Sequence, residues 1–244
     1  MSATPTSIVA NDQRLREAIA PLVASARERP VFLVDGDRTL VAEDTSRLFL
    51  AEAGFDFMAV KERFRKDGYV YDSFRFHAET HLGLGESAFS SIAPRIAARV
   101  QLYDGAVGFL RAASSHSIVA IVSAGIPRIW RRIMDVHGLQ NVAVIGGIEP
   151  RNPFVFGRRE KGLVARLFAT EASGVVGVGD SDVDAEMLRE SRHAVIVVNH
   201  RKNEDLLPQL AGHPSVWQIV PAGAPHEGIR LIGFADVESL QRLD

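Results

Sequence analysis

The 244-residue chain has no cysteine, which excludes disulfides, thiolate metal sites and cysteine nucleophiles together. It also lacks an excess of either charge. Its 28 lysines and arginines face 30 aspartates and glutamates, for a formal net charge of −2. That balance offers no broad basic surface for nucleic acid or an anionic membrane. No apolar run approaches the length that spans a bilayer. The start, Met1 to Ser7, has no basic segment leading into an apolar one. The expectation is a soluble, cytoplasmic protein that binds neither nucleic acid nor membrane. The composition is ordinary for a globular chain. The length suits one large α/β domain, or a core with a smaller insertion.

One stretch organises the remainder: Val31-Phe32-Leu33-Val34-Asp35-Gly36-Asp37-Arg38-Thr39-Leu40. A short apolar run bounded by Pro30 and Gly36 reads as a buried strand of a parallel sheet. Asp35 then stands at the carboxyl end of the strand, where open α/β sheets bind ligands. Two carboxylates one residue apart repel, so they call for a metal ion or a shared proton. Further strands are expected at 118–123, 142–145, 175–179, 194–198 and 216–220, separated by helices. This alternation predicts a doubly wound parallel sheet. Residues 1–10 carry no pattern and are expected to be unordered, with a helix from Asn11 or Asp12 to about Arg29.

Residues 41–103 are different in character. Helical periodicity recurs around 44–50, 58–66, 73–81 and 86–100, with little strand signal. The expected division is a core of residues 1–40 and 104–244 and a helical insertion of 41–103. More than half of the chain's aromatics lie in the insertion, which suggests a small module building its own core. Tyr69 and Tyr71 flank a turn at Asp67-Gly68, which makes them better ligand candidates than the other rings. His77 and His81 are four apart, a zinc-compatible spacing, but no third ligand stands out. A pair facing solvent or substrate is the simpler expectation.

The other strand ends carry polar residues that match the acidic pair. Ser123 ends the second strand before Ala124-Gly125 and a helix, an arrangement that can hold an anion. Gly179-Asp180-Ser181-Asp182-Val183-Asp184 ends the fourth, with more acids than one helix cap requires. Lys161 opens a helix, a place that disfavours a cation unless an anion is near. Parallel strands bring Asp35, Asp37, Ser123 and Asp180 to one edge. The acids can hold Mg²⁺, and Ser123 and Lys161 can hold phosphate oxygens. Such a site suits phosphoryl transfer with Asp35 as nucleophile and Asp37 as acid–base.

These four segments, in this order, resemble the motifs of the haloacid dehalogenase (HAD) superfamily over about residues 31–200. The insertion resembles that family's helical C1 cap. The resemblance implies that Asp35 is the nucleophile and Asp37 the general acid, then base. It implies phosphoryl binding by Ser123, Ala124, Gly125 and Lys161. It implies Mg²⁺ ligation by Asp35, the backbone carbonyl of Asp37, and Asp180, supported by Thr39 and Asp184. The second acid, Asp37, argues for a phosphatase over a dehalogenase. The nearest subgroup likeness is to phosphoserine phosphatases. Their cap acid matches Asp44 (or Glu43), but no arginine stands at His77 or Ala78, Arg75 is displaced, and Val183 replaces an asparagine. The implied substrate is a small phosphorylated metabolite: a sugar, cyclitol, nucleotide or amino-acid phosphate. A phosphomutase or phosphotransferase, or a non-catalytic binding protein, is the alternative. Arg38, Asp44, Tyr69, Tyr71, Arg75 and His77 are the candidates for reading the substrate.

Overall fold

The computed structural model describes residues 4–199 and 202–242. Seven strands form one sheet: β1 (Pro30–Val34), β2 (Ile118–Val122), β3 (Ala143–Ile145), β4 (Gly174–Gly179), β5 (His193–Val197), β6 (Val216–Ile219) and β7 (Arg230–Leu231). Their order is β3-β2-β1-β4-β5-β6-β7, and every pairing is parallel. The expected doubly wound fold is present, with β1 in the interior and its carboxyl end flanked by those of β2 and β4. The side chains of β1 alternate between two cores. Phe32 and Val34 join one buried cluster, and Val31 and Leu33 join another on the opposite face. A strand covered on both faces reads as a continuous apolar run, as this one does.

Helix α1 (Ile8–Ser25) begins before the predicted start, because the Ser7 hydroxyl accepts from Ala10 N at 3.2 Å and caps it. The expectation of an unordered 1–10 is therefore corrected. Thr4 and Pro5 are buried, and only residues 1–3 of that segment lie outside the described residues. The C-terminal end adds β7 and a 3₁₀ segment, Phe234–Arg242, whose Phe234, Val237 and Leu240 are buried in the main core.

Between β1 and β2 lie α2 (Thr45–Glu52), α3 (Met58–Asp67), α4 (Tyr71–Leu82), α5 (Gly85–Arg99) and α6 (Ala106–Ser114). The first four form the helical insertion. The chain leaves and returns side by side, through a Val41–Leu102 bridge and a bond from Tyr103 N to Leu40 O of 2.8 Å. The insertion does not build a core of its own. Phe49 of α2 and Phe89, Ile92 and Ile96 of α5 belong to the same buried cluster as Phe32 of the sheet. Phe57, Phe64, Tyr69 and Phe74 lie outside that cluster.

The core helices are α7 (Pro127–Val136), α8 (Arg158–Ala169) and α9 (Ala185–Glu190), the last preceded by a 3₁₀ turn at Asp182–Asp184. Among the described residues, no helix is long and apolar enough to cross a membrane.

Candidate active site

β1 ends in a carboxylate held on every side. The Asp35 backbone N–H donates to Val178 O at 2.8 Å, so the residue is still paired to β4. Its Oδ1 accepts from Lys161 Nζ at 2.5 Å and its Oδ2 from the Thr39 hydroxyl at 3.0 Å. Thr39 sits in the turn closed by Leu40 N to Gly36 O at 2.8 Å. Gly36 is required there: a Cβ would lie 2.3 Å from the buried ring of Trp130.

Lys161 lies in the first turn of α8, where its helix alone would disfavour it. The anions that compensate are Asp35 and Asp184, the latter at 2.6 Å. Asp184 in turn accepts from Asp180 N and Ser181 N, both at 3.1 Å, through Oδ2. Asp180 meets the Thr39 hydroxyl at 3.4 Å. Burial pulls the Lys161 ammonium down, but the charges of Asp184 and Asp35 more than offset this and hold its pKa above the ordinary lysine value. Burial, then the Asp184 charge, pushes Asp35 well above its ordinary value of 3.8 against the pull of Lys161. We take the lysine as charged, because two carboxylates touch it and no other described cation does.

Ligand oxygens of Asp35, Asp180 and Asp184 lie within 4.8 Å of one another. With one ammonium between them, three carboxylates leave an excess of two negative charges. An all-oxygen donor set with that deficit fits a hard divalent cation such as Mg²⁺.

Asp37 takes a different environment. The Thr45 hydroxyl donates to its Oδ1 at 2.7 Å. Burial first, and the nearby Asp44 charge second, raise its pKa to about 7. Opposite it, Ser123 continues the sheet ladder through its N–H to Ile145 O at 3.0 Å. The Ser123 hydroxyl accepts from Gly125 N at 3.0 Å. A Cβ on Gly125 would come within 2.7 Å of Ser46 Oγ and 3.1 Å of Asp37 Oδ2. Glycine here keeps the approach to the acid open.

These groups floor a cavity of about 630 Å³, between the sheet edge and α3 and α4. Of the sequence candidates, Asp35, Asp37, Ser123, Ala124, Gly125, Lys161 and Asp180 all line it, as do Arg38, Asp44, Tyr69 and His77. Thr39 and Asp184 support the floor from below. Two candidates do not reach the cavity. Tyr71 turns its hydroxyl to the backbone, donating to Pro5 O at 2.9 Å, and so straps the N-terminal segment to α4. Arg75 is spent on its own helix, 3.3 Å from Asp72 and 3.9 Å from Glu79. Arg38 pairs with Asp44 at 2.8 Å and holds a left-handed backbone, φ 63°, a conformation non-glycine residues rarely take. Asp44 also caps α2 through Arg47 N at 3.0 Å.

His77 and His81 do not face solvent; both are buried. His81 is fixed between two backbone oxygens, His77 O at 2.8 Å and Ser46 O at 3.1 Å. His77 reaches the cavity.

Residues 32–189 match the haloacid dehalogenase-like hydrolase family. The chain belongs to that family. Comparison with curated proteins finds no match. Among solved structures, a phospho-aspartyl intermediate analogue of phosphoserine phosphatase is 18% identical at a TM-score of 0.54, covering 78% of this chain and 93% of the other. A HAD family hydrolase from Salmonella enterica serovar Typhi is 14% identical at 0.56, covering 84% and 75%. A cytosolic 5′-nucleotidase IIIB bound to cytidine is 12% identical at 0.55, covering 94% and 91%. At these identities the likeness is one of fold.

Several residues of this HAD-like site escaped the sequence reading. Thr45 and Ser46 lie in a stretch marked only as helical, yet they stand beside Asp37 and Gly125. Asn203 donates to the backbone oxygens of Asp180 and Val197, pinning the acidic loop from a distant helix. No local pattern marks it. Phe57, Phe64 and Phe74 face the cavity from the insertion, where amphipathic spacing alone predicts core.

Proposed function

We propose that the protein is a Mg²⁺-dependent phosphatase that hydrolyses small phosphate monoesters through an aspartyl-phosphate intermediate. The observation that carries this reading is the Asp35 carboxylate, bound at 2.5 Å by Lys161 and at 3.0 Å by Thr39. It stands at a sheet edge beside a second acid whose pKa is raised to about 7. A nucleophile oriented by fixed donors needs little reorganisation to attack. A proton carrier works best with a pKa near the working pH.

Asp35, Asp180 and the backbone oxygen of Asp37 would hold the metal, which supplies positive charge against the phosphoryl oxygens when bound. One carboxylate oxygen of Asp35 attacks phosphorus, and the bond from phosphorus to the ester oxygen breaks. Asp37 gives its proton to that leaving oxygen. With Oδ1 engaged by Thr45, Oδ2 is the atom that carries the proton. Asp37 then takes a proton from water, which attacks the same phosphorus. Asp35 is released as carboxylate, together with inorganic phosphate. Lys161, the Ser123 hydroxyl, which accepts from Gly125 N and keeps its own proton to donate, and the open Gly125 loop support binding of the phosphoryl oxygens. The solved relatives named for phosphoserine phosphatase and 5′-nucleotidase act on phosphate monoesters by name, which agrees with this reaction class.

Asp35→Asn, assayed for Mg²⁺-dependent phosphate release from an aryl phosphate, is expected to lose at least about 10³-fold in kcat, as removal of a covalent nucleophile does. Unchanged turnover in the folded variant removes the assignment. Transfer to a second hydroxyl without release of inorganic phosphate makes the protein a phosphotransferase instead.

A further inference from the structure

The cavity is far larger than a phosphoryl group needs. At about 630 Å³ it is sized for an organic ligand of some bulk. Its far wall is aromatic. Phe64 packs against Tyr69 and Phe74 with ring centroids 5.2 and 5.0 Å apart, and Phe57 meets the His77 ring edge-on at 6.2 Å. All of these rings line the cavity, so the wall offers flat apolar faces to an occupant.

The rim beside that wall is basic. Arg47, Lys61 and Arg65 line the cavity, and no side-chain hydrogen bond or ion pair joins them to any described residue. The fourth cation above the floor, Arg38, is already neutralised by Asp44. The rim's one acid, Asp56, has its Oδ1 taken by Met58 N at 2.9 Å. A surplus of unpaired cations around an apolar slot favours an anion there. Two buried polar atoms on residues of the same lining, His77 Nε2 and Ser46 Oγ, have no hydrogen-bond partner among the described residues. Buried polar atoms are nearly always paired, and both residues belong to the cavity lining, so they add to the polar groups that a ligand there would meet.

Building on the phosphatase reading, we infer that the substrate is a phosphate monoester with an aromatic body that carries a second anionic group, read by Lys61, Arg65 and Arg47. The reacting phosphate sits on the floor, the ring stacks against Phe64 and Tyr69, and the second anion emerges at the basic rim. This class differs from small aliphatic phosphates, which would leave the aromatic wall and the rim cations unused.

Four alkyl esters of matched leaving group test both features: ethyl phosphate, 3-phosphonooxypropanoate, benzyl phosphate and 4-carboxybenzyl phosphate. With Mg²⁺, kcat/KM is expected to rise about tenfold or more from ethyl to benzyl. It is expected to rise about a further fivefold from benzyl to 4-carboxybenzyl. In Lys61→Met and Arg65→Met the second ratio falls toward one, with the change carried by KM. Equal efficiency on benzyl and 4-carboxybenzyl esters, or an unchanged ratio in both variants, overturns the inference. Calorimetric binding of benzylphosphonate and 4-carboxybenzylphosphonate separates this failure from failure of the phosphatase reading. Equal affinities overturn the substrate class whether or not phosphate is released. Tighter binding of the carboxylated analogue without release of phosphate from any ester supports the substrate class and overturns the phosphatase reading alone.

Discussion

The two sides of the cavity are built on opposite rules. On the sheet side, Asp35, Lys161, Asp180 and Asp184 are almost wholly buried and bound to one another or to backbone. On the helical side, Arg47, Lys61 and Arg65 are exposed and unpaired, and Phe57, Phe64 and Tyr69 beside them are only partly covered. Burial with full pairing fixes geometry, because any displacement leaves a charge uncompensated. Exposure with flexible side chains tolerates change. The sheet side is thus suited to one invariant reaction, and the helical side to choosing what undergoes it.

The largest effects belong to the sheet side. Asp37→Asn is expected to lower kcat by about 10²–10⁴-fold with little change in KM, as loss of a positioned acid–base does; steady-state kinetics on one ester checks it. Full kcat in that variant would strip the sheet side of its proton carrier. Next comes Lys161→Met, which leaves three buried carboxylates without their ammonium. It is expected to cost about 3–5 kcal/mol of stability in chemical denaturation. Mg²⁺ should raise the melting temperature of this variant more than that of the wild type, since it offsets the charge the lysine no longer does.

A smaller effect tests where the two sides meet. Burial, and for His77 also the His81 charge, holds both imidazoles below their ordinary value of 6.5. The folded protein keeps them neutral while the unfolded chain binds protons below pH 6.5. Their contribution to stability is therefore complete above pH 6.5 and is lost as pH falls below it, by at most about 1.4 kcal/mol per pH unit for each ring. Asp35 and Asp37, with raised values, act with the opposite sign, so a wild-type profile alone mixes the two. His77→Phe isolates the imidazole: denaturation at pH 7.5 and 5.5 should show a smaller acid loss in the variant. The smallest effect belongs to the rim. Lys61→Met and Arg65→Met should stay within about 0.5 kcal/mol of wild-type stability. A larger loss would mean that the rim is structural and that the contrast between the two sides is overstated.

The same contrast explains what could be read in advance. The floor was legible because its residues follow strands whose apolar runs are unmistakable, and because burying so many acids has few non-functional explanations. Lys161, a cation at the disfavoured end of a helix, was legible only together with the acids that compensate it. The wall was not legible. Tyr69 and Tyr71 flank the same turn, yet one lines the cavity and the other ties down Pro5, a distinction set by where the segment ahead of α1 runs. Arg75 lies on the same helix as His77 but points along it to Asp72 and Glu79. The insertion's aromatics split between the shared core, as Phe49 and Phe89, and the cavity, as Phe64 and Phe74. Periodicity marks a face as apolar without saying whether it meets protein or ligand.

The bond from Asp35 N to Val178 O has a consequence in time. The Asp35 amide proton is a rung of the sheet, so it can trade with deuterium only when β1 parts from β4. The amides of α3, over the same cavity, are guarded by one exposed helix turn at a time. Deuterium uptake should therefore run on two clocks only a ligand's length apart, hours or longer at Asp35 and far faster around Lys61. An occupant that bridges floor and wall would slow the fast clock and leave the slow one as it was.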